Sequence, residues 1–317
     1  MDGCWKPAPA TLAALPNEIL CDIVSNFCLH CSDLHETPLA LLPRADTDPA
    51  DSWMSWYTVD RQALYSICLV SRRFRAVAQP VLYHEFLPGY GQTTAWNRRL
   101  DSFLRTVVLR PDLGSLVRRV FLNPNLGGGM YGREPQTVLE DAARARNIPL
   151  ADFLKPYQDR SFSKDARLPS FDEVAAMLLA CLPNLASLVY PDVLFEPVPV
   201  AAMTAAGVST LPLRAVEVLG MWASRADNLA SILDLAAPTL KVLRINGSAT
   251  GVLESLAPHL CDLRDIYVIE CKFGGADLAS LLSRCQSLER FVYEAGEYPL
   301  IPCSLLHLPH VRDRRHG

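Results

Sequence analysis

Leu240-Lys241-Val242-Leu243-Arg244-Ile245 sets apolar side chains at its first, fourth and sixth positions. The same spacing returns at Leu185-Leu188-Tyr190, Leu213-Val216-Val218, Leu263-Ile266-Val268 and Leu288-Phe291-Tyr293, so successive copies lie 28, 27, 23 and 25 residues apart. A repeat of this length carries one strand and one helical segment, and neither buries its apolar face until a neighbouring copy stacks on it. Five copies in series therefore decide the fold of the C-terminal half.

The segments between copies agree. Ser170-Phe171-Asp172-Glu173 and Ser224-Arg225-Ala226-Asp227 have the form of capping boxes, and each precedes an apolar run, VAAMLLACL (174–182) and LASILDLA (229–236). Pro183, Pro238 and Pro258 fall where those helices should end. An earlier copy at Val117-Arg118-Arg119-Val120-Phe121-Leu122 supplies a first strand. The gap to the next copy holds a Gly-rich loop, a charged helix-like stretch at 137–146 and a polar segment at 156–169, read as a long surface excursion. The pattern resembles irregular leucine-rich repeats. A doubly wound α/β sheet domain is the competing architecture, although its spacing is normally longer and less regular.

In an arc of such repeats the leucines turn inward and the residues between them line the concave side. One row is then Val189, Glu217, Arg244, Tyr267 and Val292, the other Ser187, Ala215, Val242, Asp265 and Arg290. Glu217 and Asp265 oppose Arg244 and Arg290, so the face offers no Arg cluster of the kind that binds phosphorylated partners. Arg244 and Tyr267 are the candidate target-binding anchors, with Glu217, Asp265 and Arg290 beside them. The plainer alternative is an exposed repeat face with no partner.

The N-terminal part has a different organisation. Leu15, Ile19, Ile23 and Phe27 recur every four residues with Leu20 and Val24 beside them, which predicts a short amphipathic helix beginning near Pro16. Leu64, Ile67, Cys68, Leu69 and Val70 form a second apolar run. It leads into Ser71, the expected cap of a third helix that carries Phe74 and Val77 and should stop at Pro80. On periodicity alone this is also the pattern of an ordinary helical hairpin in a larger core.

Leu15-Pro16-Asn17-Glu18-Ile19-Leu20, followed by Leu69-Val70-Ser71-Arg72-Arg73-Phe74-Arg75, resembles a split F-box, and the stretch RFRAVAQPVLYHEF (73–86) resembles sequence just behind the box in F-box proteins of filamentous fungi. The resemblance implies binding to a Skp-type adaptor, and through it to a cullin RING ubiquitin ligase, by Leu15, Pro16, Ile19, Leu20, Ile23, Leu69, Val70 and Phe74. Residues 28–60, rich in Asp, Pro and Trp, stand where an F-box normally has a short turn.

The expected organisation is thus an α+β or α/β solenoid protein. Residues 1–11 form a disordered N-terminus, and 12–85 an F-box-like helical module with an insertion at 28–60. A linking region follows at 86–169, then the irregular leucine-rich-repeat arc at 170–303 and a frayed or truncated end at 304–317. The expected role is a non-enzymatic substrate receptor of a ubiquitin ligase. The alternative is a repeat scaffold that holds a protein partner without an adaptor.

Composition narrows the remaining classes. A formal charge of −4 over 317 residues gives no global reason to expect nucleic-acid binding. No apolar run is long enough to span a bilayer, and Met1-Asp2-Gly3-Cys4-Trp5-Lys6 lacks the regions of a signal peptide, so an intracellular protein is expected. The ten cysteines then read as reduced, mostly buried thiols. Cys28-Leu29-His30-Cys31 has the spacing of a first pair of zinc ligands, with His35 and Cys21 near it, yet no second such pair follows. Gly127-Gly128-Gly129-Met130-Tyr131-Gly132 matches a dinucleotide-binding glycine pattern, but Asn123-Pro124-Asn125-Leu126 intervenes after the strand, and Pro135 delays a helix. Asp152, at the distance of a ribose-binding acid, therefore gains no role. Neither metal nor cofactor is expected. Seven scattered histidines form no catalytic set, and His84 reads as a packed surface histidine.

Overall fold

The computed structural model describes residues 11–32, 56–87, 93–122, 133–148, 171–192, 203–204, 207–220, 227–236, 238–247, 261–271 and 273–295. The chain divides into two units, one comprising residues 1–85 with 89–91, the other 86–88 with 92–317.

The first unit is built from α1 (Asn17–Ser25), α2 (Trp56–Val70) and α3 (Arg72–Tyr83), with a 3-10 turn at Leu12–Ala14 ahead of α1. Helix α3 packs against both α1 and α2. Its core gathers Leu20, Val24, Cys28, Leu64, Cys68, Val77, Ala78 and Val81, with Leu15, Phe27, Ile67 and Phe74 partly buried against it. Leu20, Val24 and Cys28 are spaced four apart, so α1 and the turn after it bury one narrow stripe. Pro16 occupies the cap of α1, and the Ser71 hydroxyl accepts the Phe74 N–H at 3.2 Å as the cap of α3. The expected stop at Pro80 is overturned, because α3 runs through it to Tyr83. A proline in the last turn costs one intrahelical bond, and burial of Val81 against the core offsets it. Most of the stretch read as an insertion, residues 33–55, lies outside the described residues.

A two-residue strand, β1 (Glu85–Phe86), falls at the boundary of the units, and the sheet of the second unit runs in chain order through β2 (Arg119–Phe121), β3 (Ser187–Asp192), β4 (Ala215–Gly220), β5 (Val242–Gly247), β6 (Asp265–Cys271) and β7 (Arg290–Ala295). Each pairing from β2 to β7 is parallel. The early copy at 117–122 is therefore a strand of this sheet. Leu188, Val216, Leu243, Ile266 and Phe291 align across it and are all buried. Leu185, Leu213, Leu240 and Leu263, which open four of the copies, are buried as well.

One hydrogen-bond device recurs at each strand entry. The Arg118 carbonyl accepts the N–H groups of Ala186 and Ser187; Ala186 does the same for Arg214 and Ala215, and Arg214 for Lys241 and Val242. Lys241 repeats it for Arg264 and Asp265, and Arg264 for Glu289 and Arg290. Five like connections fix the register before the strands begin. Between β6 and β7 the ladder is irregular, and a register shift at Ile269/Cys271 accompanies a positive φ of 54° at Glu270.

Among the described residues the helices of this unit are α4 (Thr93–Leu109), α5 (Pro111–Gly114), α6 (Arg133–Ala145), α7 (Phe171–Ala180), α8 (Asp227–Ala236) and α9 (Gly275–Arg284). Helix α7 precedes β3, α8 precedes β5 and α9 precedes β7, and Pro183 and Pro238 fall just past α7 and α8. Ser170, Ser224, Pro258, the glycine-rich stretch, Asp152 and residues 156–169 lie outside the described residues. Pro135 does not delay α6; it sits in its first turn, where backbone N–H groups lack intrahelical partners anyway. Helix α6 ends with Asn147 at φ 55°, Ile148 N–H bonded to Ala143 and Asn147 N–H to Arg144, a Schellman stop with asparagine in the usual glycine place.

Gly114, at the end of α5, meets the turn after α7. A Cβ there would lie 2.8 Å from the Cys181 carbonyl oxygen and 3.4 Å from the Val107 Cβ. Gly114→Ala is expected to destabilise the sheet unit by about 1–3 kcal/mol, since backbone and not a mobile side chain must yield. A urea midpoint equal to wild type would remove this close contact as a constraint.

Candidate functional site

On the helical unit, the residues expected to meet an adaptor divide by face. Ile19 (45 % exposed), Ile23 (36 %), Leu69 (60 %) and Val70 (68 %) keep their apolar side chains open, and Pro16 is exposed too. Leu15 and Phe74 are half-buried against the core. Leu20 is a correction: it is 2 % exposed and belongs to the core, because it shares the inward stripe with Val24, so it cannot present itself to a partner. Leu12, Val59 and Tyr65 join the exposed apolar set. Tyr65 and Leu69 stand one turn apart on α2, next to the buried pair Leu64 and Cys68, so the breadth of the α2 apolar run already signalled more than one face.

Arg73 brings the two halves of the split motif together. Its Nε donates to Asn17 Oδ1 at 2.9 Å, one terminal nitrogen donates to the Ala13 carbonyl at 2.6 Å, and the other to the Leu15 carbonyl. The planar guanidinium thus ties the first turn of α3 to the approach and start of α1. Arg75 Nε donates to the Cys68 carbonyl at 3.2 Å, which fixes α3 to α2.

On the sheet, both expected rows align in register: Ser187, Ala215, Val242, Asp265 and Arg290, and beside them Val189, Glu217, Arg244, Tyr267 and Val292. Their expected display to solvent is overturned for most of the second row. Val189, Glu217, Arg244 and Tyr267 are buried and Val292 is half-buried. The Arg244 guanidinium carbon lies 3.9 Å from the centroid of the Tyr267 ring, a cation–π stack between neighbouring strands. Arg290 donates to the Tyr267 hydroxyl at 3.0 Å and approaches Asp265 at 3.7 Å. Tyr267, first through its hydrogen bond and then through its charge interaction, and after it the nearby Asp265 charge, hold the Arg290 pKa above its usual value. Arg290 is exposed and Asp265 half-buried, so these two of the five nominated residues keep contact with solvent.

A third constellation lies wholly within the helical unit. Cys28, His30, Cys31 and His84 bring their sulfur and ring nitrogen atoms within 4.8 Å of one another. Cys31 Sγ is 3.2 Å from His84 Nδ1, and Cys28 Sγ is 3.9 Å from the same atom. Cys31 Sγ is also 3.9 Å from His30 Nδ1, and the two imidazoles meet edge to face with centroids 5.2 Å apart. His84 is half-buried and packed, as expected, and its packing partners are these two thiols and the His30 ring. Next to it, the buried Glu85 carboxylate accepts the N–H groups of Leu29 at 3.1 Å and His30 at 3.3 Å, with Arg61 Nη1 3.7 Å away. Burial first, and then the Glu85 charge, pushes the Cys28 thiol well above its ordinary pKa. None of the eight cysteines among the described residues is part of a disulfide, and four of them are buried.

No helix among the described residues is long and apolar enough to cross a membrane. No protein-family model and no curated protein matches the sequence.

Proposed function

We propose that the helical unit is an F-box module that docks on a Skp-type adaptor, and that the sheet unit carries a target protein as an irregular leucine-rich-repeat arc. The chain would then be a non-catalytic substrate-recognition subunit of a Skp/cullin/F-box ubiquitin ligase. The observation that carries this reading is that Ile19, Ile23, Tyr65, Leu69 and Val70 keep exposed apolar side chains on a unit whose core is already filled by other side chains. Apolar side chains gain nothing from standing in water, and several on one small unit fit a partner that covers them.

Two further features support it. Arg73 holds the Leu15-Pro16 opening beside the helix that begins at Arg72, so the long separation in sequence does not part the motif. The sheet runs in strict chain order with a recurring strand entry, as stacked repeats require, whereas a doubly wound sheet reverses its order and opens a ligand crevice at that point. The mechanism is proximity: a target lysine held near a charged ubiquitin carrier reacts at raised effective concentration, and the receptor needs no catalytic group. Arg290 and Asp265 are the nominated target-binding residues that remain accessible, with Glu217, Arg244 and Tyr267 bracing the row beneath them.

Co-purification with a Skp-type adaptor tests the reading. Wild type is expected to retain the adaptor, and Ile19→Asp to lose it, because a carboxylate must then be desolvated in an apolar interface. The same substitution should leave stability within about 0.5 kcal/mol of wild type, since Ile19 is outside the core. Failure of wild type to hold the adaptor under gentle conditions favours the repeat scaffold; equal retention by Ile19→Asp displaces the interface from this surface.

A further inference from the structure

We propose that Cys28, His30, Cys31 and His84 are the four ligands of a structural zinc site that closes the helical unit. The donor set is two thiols and two imidazoles, the chemistry of a closed Cys2His2 centre. Bond lengths of about 2.3 Å to sulfur and about 2.0–2.1 Å to nitrogen put the donors of a tetrahedral site about 3.3–3.8 Å apart. The Sγ to Nδ1 separations of 3.2, 3.9 and 3.9 Å lie near that range and all the donor atoms are within 4.8 Å of one another, so side-chain shifts of about an ångström complete the tetrahedron.

The surrounding backbone is arranged to hold such a centre. Cys28 to Ser32 forms a single turn after α1, with the Ser32 N–H and hydroxyl both donating to the Cys28 carbonyl at 3.1 and 2.9 Å. Glu85 fixes the N–H groups of Leu29 and His30 inside that turn, orienting the three ligands that belong to it. His84 caps the end of α3 and supplies the fourth from 53 residues beyond Cys31. Charge also balances. Binding releases one proton from each thiol, so a divalent ion and two thiolates with neutral imidazoles are neutral together, and Arg61 faces Glu85 beside them. Four protein donors leave no open position, which makes the ion structural and not catalytic. It would pin the end of α1 to the end of α3 across the stretch between them, whether or not the unit binds an adaptor.

The test uses the full chain, purified under reducing conditions without chelator. Wild type is expected to carry one zinc per chain after dialysis. Replacement by cobalt(II) should give the visible bands of a tetrahedral ion together with thiolate-to-metal charge transfer. Cys31→Ser and His84→Ala should weaken zinc binding by about a hundredfold or more, whereas Cys21→Ser, at an exposed thiol outside the cluster, should match wild type. Should a ligand variant fold poorly, the cobalt spectrum of the wild-type chain decides alone. Zinc well below one per chain, a cobalt spectrum without thiolate bands, unchanged binding in Cys31→Ser, or a Cys28–Cys31 disulfide in the freshly reduced protein would each overturn the proposal.

Discussion

Glu85→Ala is expected to lower the stability of the helical unit by about 3–5 kcal/mol, because it removes the buried carboxylate that faces the mostly buried Arg61 and leaves the buried Leu29 N–H and the part-buried His30 N–H without their acceptor. The carboxylate is fully buried, and its oxygens are the acceptors for Leu29 and His30 in the turn after α1. Arg61 on α2 reaches the same carboxylate and also donates to the carbonyls of Val81 at 3.4 Å and Glu85 at 3.2 Å, so all three helices converge on this point. Glu85→Gln keeps the shape and one acceptor oxygen, and should lose less. Hydrogen exchange read on peptides from 17–32 and 72–84 checks this: at about 1.4 kcal/mol per factor of ten, protection should fall a hundredfold or more there. Peptides from β3 to β6 should stay near wild type. Protection of α1 and α3 unchanged by Glu85→Ala would mean that the turn is held by other contacts.

The sheet was legible because its determinants are local and repeated. Each Leu-x-x-Leu-x-Leu copy states where its strand enters and which side chains turn inward, and parallel stacking then leaves one register that keeps Leu188, Val216, Leu243, Ile266 and Phe291 together. Whether the opposite face meets water is not a local property. Alternation puts Glu217, Arg244 and Tyr267 on that face, but says nothing of what covers it, and the two charged residues suggested an open surface. Their burial depends on tertiary packing that no six-residue pattern encodes.

The same distinction separates what could be read in the helical unit. Ser71 as a cap is a matter of one residue and the N–H three places on, and it was visible. Leu20, Ile19 and Ile23 share one broad apolar stripe, and such a stripe does not reveal where the core ends along its width. The Cys28-Leu29-His30-Cys31 turn lacked a fourth donor within any recognised spacing, since His84 reaches it only after α2 and α3 have folded back. One signal was present: His84-Glu85 is a polar pair set between Leu82 and Phe86-Leu87, and a polar pair in an apolar stretch needs buried partners.

Arg244→Ala separates an anchor displayed to a partner from a strut within the fold, and the strut is expected. Arg244 is 5 % exposed, stacked on Tyr267, and aligned with Glu217 on the neighbouring strand. Truncation forfeits the desolvated cation–π contact, opens a void beneath Tyr267 and leaves the buried Glu217 beside it, so the sheet unit should lose about 2–4 kcal/mol. A displayed arginine would instead change stability by no more than about 0.5 kcal/mol. Arg244→Met, which keeps the length of the side chain without the charge, should recover part of the loss, because long side chains pack through their stems. Arg290→Ala, at an exposed position, should leave the midpoint of unfolding where it is. A urea midpoint lowered by Arg244→Ala and unmoved by Arg290→Ala would assign Arg244 to the rigidity of its row and show that Arg290 carries little of the stability; the opposite pattern would return Arg244 to the surface.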